Sequence, residues 1–304
     1  MMNYWIRSLV VAIACFLASP AAQAEPKVIA SIMPVHSIVA AVMGDLGKPE
    51  LLLAGRLSEH AASFTPSQIA GLGKADLVFL VGGGLERKLG QLSGSEAVRG
   101  KVFIELAKAA GMTTHPIREG GGWEKDEHED EGLPADPHVW LDPGNAGAMA
   151  DAVAAALAKA DPANAATYAA NSASFSASLD ALADDIEATL APVKDRPYIV
   201  FHDAYQYFEK RFGLNAVGSI ADFSAAAPSA RRLRDIRGKI AEAGAVCAFR
   251  ELQFDEKFVA TAIEGSAAKS GILDPLGADL QPGPLAYPQL LRNLAASLAA
   301  CLAG

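Results

Sequence analysis

Residues 146–191 read AGAMADAVAAALAKADPANAATYAANSASFSASLDALADDIEATLA, and this alanine-rich stretch decides how the rest of the chain is organised. It predicts helix on both sides of a break at Asp161-Pro162, where Asp161 suits an N-cap and Pro162 a first helical position. The second helix runs to about Ala191. About 30 residues of helix would span about 45 Å, which suits a strut between two lobes.

Both flanks of this helical region alternate strand-like with helix-like segments. Before it, the sequence predicts strands at 27–32, 76–81 and 101–105 and helices at 36–43 and 66–72. After it, strands are predicted at 197–201, 216–220 and 245–249, and helices at 204–212, 229–243, 255–270 and 289–302. Such alternation predicts an α/β fold with mainly parallel sheets.

The length of 304 residues suits about two domains. We therefore predict four segments along the chain. They are a signal peptide at 1–24, an N-terminal α/β lobe at 25–143 that includes an acidic loop at 118–133, a helical region at 144–192, and a C-terminal α/β lobe at 193–304.

The N-terminal segment has the pattern of a secretory signal. Arg7 precedes the apolar run 9–17, and Ala22-Gln23-Ala24 matches an A-x-A cleavage site. The run is too short for a spanning helix, and Ala12 rather than leucine stands three residues before Cys15, which disfavours a lipoprotein. The mature protein is therefore expected to be exported. It is also expected to be a monomer.

The composition excludes some classes of protein. Hydrophobic residues make up 51% of the chain, so a largely disordered protein is excluded. The net charge of -9 argues against nucleic-acid binding, which normally needs a basic surface. Cys247 and Cys301 remain after the signal peptide, and in an oxidising compartment we expect them to form a disulfide. Two buried free thiols are the alternative.

Three of the six histidines stand out by their context. His60 follows Leu57-Ser58-Glu59, His138 lies within DPHVWLDP (136–143), and His202 directly follows the strand PYIVF. Ligands of open α/β sheets bind beyond the carboxyl ends of the strands, and His202 and Asp274 both follow strand-like runs. Three imidazoles and a carboxylate suit tetrahedral zinc, but the wide spacing is a weak signal, and unrelated surface or core histidines remain the alternative.

Several segments together resemble the zinc-binding solute-binding proteins of bacterial ABC importers, the ZnuA type of the metal-receptor cluster. The matching segments are SIMPVHSIVAAVMGD, EHAASFTPSQ, ADLVFLVGGGLE, DPHVWLDP, FHDAYQYFEKRFGL, APSARRLRDIRGKI, AFRELQF and GILDPLG. They extend from about residue 30 to residue 280. The resemblance implies two α/β lobes joined by one long rigid helix, with the metal in the cleft between them.

The resemblance also implies a ligand set and a function. The family's three histidine ligands fall on His60, His138 and His202, and its aspartate falls on Asp274, while Glu59 can reach the same site in some members. The function would be a high-affinity periplasmic zinc receptor, which is not an enzyme and which delivers Zn²⁺ to an inner-membrane ABC permease and its ATPase. Manganese and iron members generally carry glutamate at the position of His202, and a third imidazole favours zinc.

Two features depart from the family pattern. The loop before the second ligand is short and acidic, with His115 and His128 rather than many histidines, and the family's E-P-Q-F is Glu251-Leu252-Gln253-Phe254.

The alternatives to the receptor belong to other classes of protein. A manganese or iron receptor and an adhesin could share the scaffold, and a zinc hydrolase would need an open coordination position. An acyl-serine enzyme fails, because the S-x-x-K and K-S-G matches in 266–271 share one lysine; this stretch is predicted to end a helix.

Overall fold

The computed structural model describes residues 25–60, 63–82, 84–123 and 135–304. The predicted signal peptide lies outside these residues, as do residues 124–133 of the acidic loop. Over the described part of the chain, the fold has two four-stranded parallel sheets with a helical layer, as predicted. None of its helices is both long and apolar enough to cross a membrane.

The N-terminal lobe has the strand order β2-β1-β3-β4. Its strands are β1 (Val28–Ala30), β2 (Glu50–Leu51), β3 (Leu77–Leu80) and β4 (Val102–Glu105), and its helices are α1 (Met33–Met43), α2 (Pro66–Leu72) and α3 (Arg87–Ser93). Helix α2 starts where the sequence predicts, because Thr65 and Gln68 form a reciprocal capping box. Helix α3 was not predicted from the sequence.

Two long helices follow, α4 (Pro143–Ala160) and α5 (Ala165–Leu190). Asp161-Pro162 breaks them as expected, but Pro162 begins a 3₁₀ turn, and α5 itself starts at Ala165. The Asp161 carboxylate accepts a hydrogen bond from the Tyr168 hydroxyl (2.9 Å), which ties the turn to α5. The 26 residues of α5 extend about 39 Å, so one long helix lies between the two sheets in sequence.

The C-terminal lobe repeats the same strand order as β6-β5-β7-β8. Its elements are β5 (Tyr198–Val200), α6 (Gln206–Phe212), β6 (Ala216–Ser219), α7 (Ala230–Ala243), β7 (Cys247–Arg250), α8 (Lys257–Ile263), β8 (Lys269–Ile272) and α9 (Ala286–Leu302). In both sheets the first strand of the lobe is central, so the carboxyl ends of its neighbours surround the loop that follows it.

The predicted helix 255–270 is wrong in its second half. Helix α8 ends at Ile263, and Gly265 takes a positive φ of 78°, which favours glycine. Residues Lys269–Ile272 form β8, which pairs in parallel with β7. The stretch 266–271 therefore leads into a strand rather than ending a helix. This strand could not be predicted from the sequence, because most of β8 is exposed and it lacks an apolar run.

Cys247 on β7 and Cys301 on α9 form a disulfide across a sequence separation of 54 residues. Helix α9 also packs against α5. The terminal helix therefore links the C-terminal sheet to the helical layer. The boundaries of the four predicted segments stay a prediction.

Replacing Cys301 by serine should lower the free energy of unfolding by about 4 kcal/mol, because the unfolded chain regains the entropy of the open loop. Chemical denaturation of Cys301→Ser and of wild-type protein measures the difference, and reduced wild-type protein should match the variant. Equal stabilities, or about two free thiols in unfolded, unreduced wild-type protein, would contradict the expectation.

Candidate metal site

His202 lies at the carboxyl end of β5 and is fully buried. Its Nδ1 lies 2.8 Å from each carboxylate oxygen of Glu251, the residue that follows β7. The other ring nitrogen, Nε2, is buried without a hydrogen-bond partner. Glu251 therefore fixes the ring with Nε2 on the side away from Glu251, free to bind a ligand.

His138 is held in the same way by the residue two positions before it. Asp136 Oδ1 accepts from the backbone N–H of His138 (3.0 Å) and lies 2.8 Å from its Nδ1. The histidine then begins the 3₁₀ turn Val139–Leu141, which leads into α4. Its side chain is fully buried, so its direction is set by Asp136 and by packing.

His60 reaches these two histidines from the loop between β2 and α2. Its Nε2 lies 3.3 Å from His138 Nε2, and its ring centroid lies 5.3 Å from that of His138 and 5.6 Å from that of His202. Glu59 brings a buried carboxylate whose Oε1 has no hydrogen-bond partner. One donor atom from each of Glu59, His60, His138 and His202 lies within 4.8 Å of all the others.

This donor set fits a tetrahedral zinc ion. Two nitrogens bound to one tetrahedral zinc at about 2.0–2.1 Å lie about 3.3 Å apart, which matches the His60–His138 separation. Asp136 and Glu251 form the carboxylate–histidine pairs that usually orient zinc-binding imidazoles and raise their basicity. The other donor atoms lie up to 4.8 Å apart, so they would have to approach one another by up to about 1.5 Å to bind the same ion.

Asp274 is not one of the four residues whose donor atoms lie within 4.8 Å of one another. It follows β8, and its Oδ1 accepts from the backbone N–H groups of Leu276 (3.1 Å) and Gly277 (3.0 Å), while its Oδ2 accepts from that of Ala278 (2.6 Å). These bonds shape the turn after the strand. The structure groups Glu59 rather than Asp274 with the three histidines, and the metal-ligand role of Asp274 stays a prediction.

The other described histidines lie outside the group. The ring of His115 packs on Tyr207, with centroids 4.9 Å apart. His36 is buried on α1, and its Nε2 lies 3.0 Å from the carbonyl oxygen of Pro49, in line with the structural role that its apolar context predicts. His128 lies outside the described residues.

Burial gives the three imidazoles different protonation behaviour. Desolvation, together with the positive charge that His202 carries when protonated, holds the pKa values of His60 and His138 well below the ordinary value. Burial alone would also lower the pKa of His202, but the Glu251 carboxylate outweighs it and raises this pKa to about 9. Burial raises the pKa of Glu59 to about 7. Two imidazoles are therefore neutral and ready to bind metal at neutral pH, whereas His202 must first lose a proton.

Asp136 and Glu251 were missed as functional residues by sequence reasoning. Asp136 could have been noticed, because a carboxylate two residues before a histidine can turn back onto its backbone N–H and ring. Glu251 is separated from His202 by 49 positions, and only the pairing of β5 with β7 brings them together.

Comparison with known proteins identifies the family of this chain. The family model for the periplasmic zinc-uptake complex component A, ZnuA, matches residues 28–301. The high-affinity zinc uptake system protein ZnuA of Brucella abortus is 41% identical over 95% of this chain and 96% of its own length. The corresponding protein of Paracoccus denitrificans is 38% identical over 97% of this chain and 98% of its own length.

A solved structure extends the comparison to the fold. A crystal structure of ZnuA superimposes with a TM-score of 0.76 and 28% sequence identity, covering 91% of this chain and 99% of that one. The chain belongs to the ZnuA family of periplasmic zinc-uptake components.

Proposed function

We propose that this chain is a periplasmic zinc receptor, which binds Zn²⁺ between its two lobes and delivers it to an inner-membrane ABC permease driven by an ATPase. The observation that carries the proposal is the convergence of three imidazoles on one buried point, with their ring nitrogens and a Glu59 oxygen within 4.8 Å of one another. Membership of the zinc-uptake family supports the same function.

The chemistry of the donors favours zinc over manganese. Imidazole nitrogen is a borderline-soft donor that suits Zn²⁺, whereas Mn²⁺ prefers a site made mainly of oxygens. A manganese receptor on this scaffold would be expected to replace at least one of the three imidazoles by a carboxylate.

The same donors favour a receptor over a hydrolase. A catalytic zinc keeps one position open for water, whereas three imidazoles and one carboxylate fill a tetrahedron. His138 and His202 are also fully buried, which leaves no exposed face of those ligands toward a bulky substrate.

The function is tested in two steps. Protein lacking residues 1–24 should bind one Zn²⁺ tightly and Mn²⁺ much more weakly in a competition titration. A strain of the parent bacterium that lacks the gene should grow poorly when zinc is chelated, and the full chain should restore growth. Restoration by a chain that carries alanine at all three histidines would refute the receptor function.

We also propose Glu59 as the fourth zinc ligand, because its Oε1 is buried, has no hydrogen-bond partner and lies 3.8 Å from His60 Nε2. Glu59→Gln should weaken zinc binding at least about tenfold. Asp274→Asn is the matched control, because the asparagine Oδ1 can still accept from the backbone N–H groups of Leu276 and Gly277, although its amide NH₂ cannot accept from that of Ala278. If Asp274→Asn is the weaker binder in the same titration, the ligand implied by the family resemblance is right and Glu59 is not a ligand.

A further inference from the structure

Residues 115–123, which we call the strap, lie against the C-terminal lobe although they follow the N-terminal sheet in sequence. The backbone N–H of His115 donates to the hydroxyl of Tyr207 (3.2 Å), and the side-chain amide of Gln206 donates to the carbonyl of Pro116 (2.9 Å). Both partners belong to α6. The first residues of the strap are therefore mounted on a helix of the other lobe.

Arg118 connects the strap to two acidic residues of the C-terminal lobe. Its guanidinium lies between two carboxylates of the C-terminal lobe, donating through Nε to Asp203 (3.0 Å) and through Nη1 to Glu209 (2.5 Å). The Asp203 and Glu209 side chains are only 5% and 4% exposed, so they need a paired cation. The guanidinium also stacks on Trp123, 3.4 Å from the ring centroid, which closes the strap on itself.

The far end of the strap touches the backbone of β6 directly. The carbonyl of Gly122 accepts from the N–H of Ser219 (3.1 Å) and from Arg232 Nη2 (2.8 Å). A Cβ added at Gly122 would lie 1.9 Å from the carbonyl oxygen of Val217, and one added at Gly218 would lie 2.4 Å from the carbonyl oxygen of Gly122. This approach therefore requires glycine on both sides.

The strap is connected to the metal site through Asp136. The N–H of Asp136 donates to the carbonyl of His115 (2.8 Å), and its Oδ2 accepts from Gln206 (3.1 Å), while its Oδ1 holds His138. On the other side, the strap's partner Asp203 directly follows His202 in sequence. One hydrogen-bonded unit thus joins the surroundings of a histidine from each lobe.

We propose that Arg118 is a positioning residue for zinc: by tying the strap to the C-terminal lobe, it holds His138 and His202 at the spacing at which both bind one ion. The inference rests on the zinc-receptor function proposed above. Without Arg118, Asp203 and Glu209 are left buried without their cation and repel each other. The strap is then released, and Asp136 and His138 lose their fixed position relative to His202.

The test compares zinc dissociation rates with the release of the strap. In protein lacking residues 1–24, Arg118→Ala should raise the zinc dissociation rate about tenfold, measured by stopped flow into excess chelator. Acrylamide quenching of tryptophan fluorescence should increase at the same time, because Trp123 loses its stacking partner while Trp140 is fully buried. Arg118→Lys keeps the positive charge but loses the planar guanidinium that donates to two carboxylates at once. It should give an intermediate zinc dissociation rate and intermediate quenching.

A second variant should release the strap without changing the charge of the protein. Gly122→Ala should displace the strap from β6 by steric conflict and should also raise both the dissociation rate and the quenching. Glu119→Ala, at the exposed neighbour of Arg118, is the control and should leave both at wild-type values.

The outcomes separate the two proposals. If Arg118→Ala and Gly122→Ala increase Trp123 quenching but leave the zinc dissociation rate unchanged, the positioning role is refuted while the receptor function stands. Unchanged quenching in both variants would equally refute it, because the strap would then be held by other contacts. A wild-type protein that does not bind zinc would refute the receptor function itself.

Discussion

Replacing His60, His138 or His202 by alanine should in each case lower zinc affinity by more than about 100-fold. Mutating a residue that only hydrogen-bonds to a metal ligand already lowers metal affinity about 10–100-fold, and loss of a ligand itself should cost more. Each substitution removes one of four donor atoms, and the alanine methyl group cannot coordinate the ion. Competition against a chelator of known affinity, one variant at a time, measures the loss. The expectation holds for all three positions, since the three nitrogens converge on one point.

His115→Ala is the matched control for these variants. It removes an imidazole that packs on Tyr207 outside the donor group. The strap contacts of His115 with Tyr207 and Asp136 are made by its backbone, so alanine keeps them. Its zinc affinity should stay within a few-fold of wild type, as should that of His128→Ala. If any of the three main variants kept wild-type affinity, that histidine would be removed from the proposed site.

Zinc affinity should fall steeply as the pH drops from about 7.5 to 5, because protons and zinc compete for the same nitrogens. The pKa of His202 is raised to about 9 by Glu251, so over this whole range its proton must leave before the ion binds. One released proton changes the affinity about tenfold per pH unit, which amounts to more than about 100-fold across the range. The lowered pKa values of His60 and His138 mean that these rings add to the slope only at the acidic end. Burial raises the pKa of Glu59 to about 7, so this carboxylate adds to the slope below about pH 7.

A single substitution checks the sign of this argument. Glu251→Gln removes the charge that raises the pKa of His202, so at pH 7.5 the ring should be neutral and the pH dependence between about 7 and 9 should flatten. Isothermal titration in buffers of different ionisation enthalpy counts the protons released by each protein. A flat affinity profile from pH 7.5 to 5 in the wild type would reject the three-histidine site and favour an oxygen-rich receptor.

Much of the architecture could be predicted from local patterns. Alternating apolar strands and helices indicated two α/β lobes, and the alanine-rich run with its Asp161-Pro162 break indicated the long helix between them. The errors fall where the local pattern is weak. Strand β8 is mostly exposed, and its local pattern predicts the end of a helix, because only its pairing with β7 makes it a strand.

The histidines themselves were predictable because each lies in a distinctive local context: two prolines flank the turn at His138, and a buried strand ends at His202. The local sequence does not predict that these side chains meet, since His60, His138 and His202 are separated by tens of residues. They come together only when the two parallel sheets place their carboxyl ends at one cleft. The choice between Glu59 and Asp274 depends on ångström-scale placement of two loops, which no residue pattern encodes. The roles proposed for Glu251 and Arg118 likewise depend on tertiary packing, because a buried charge acquires its function from whichever partner the fold places beside it.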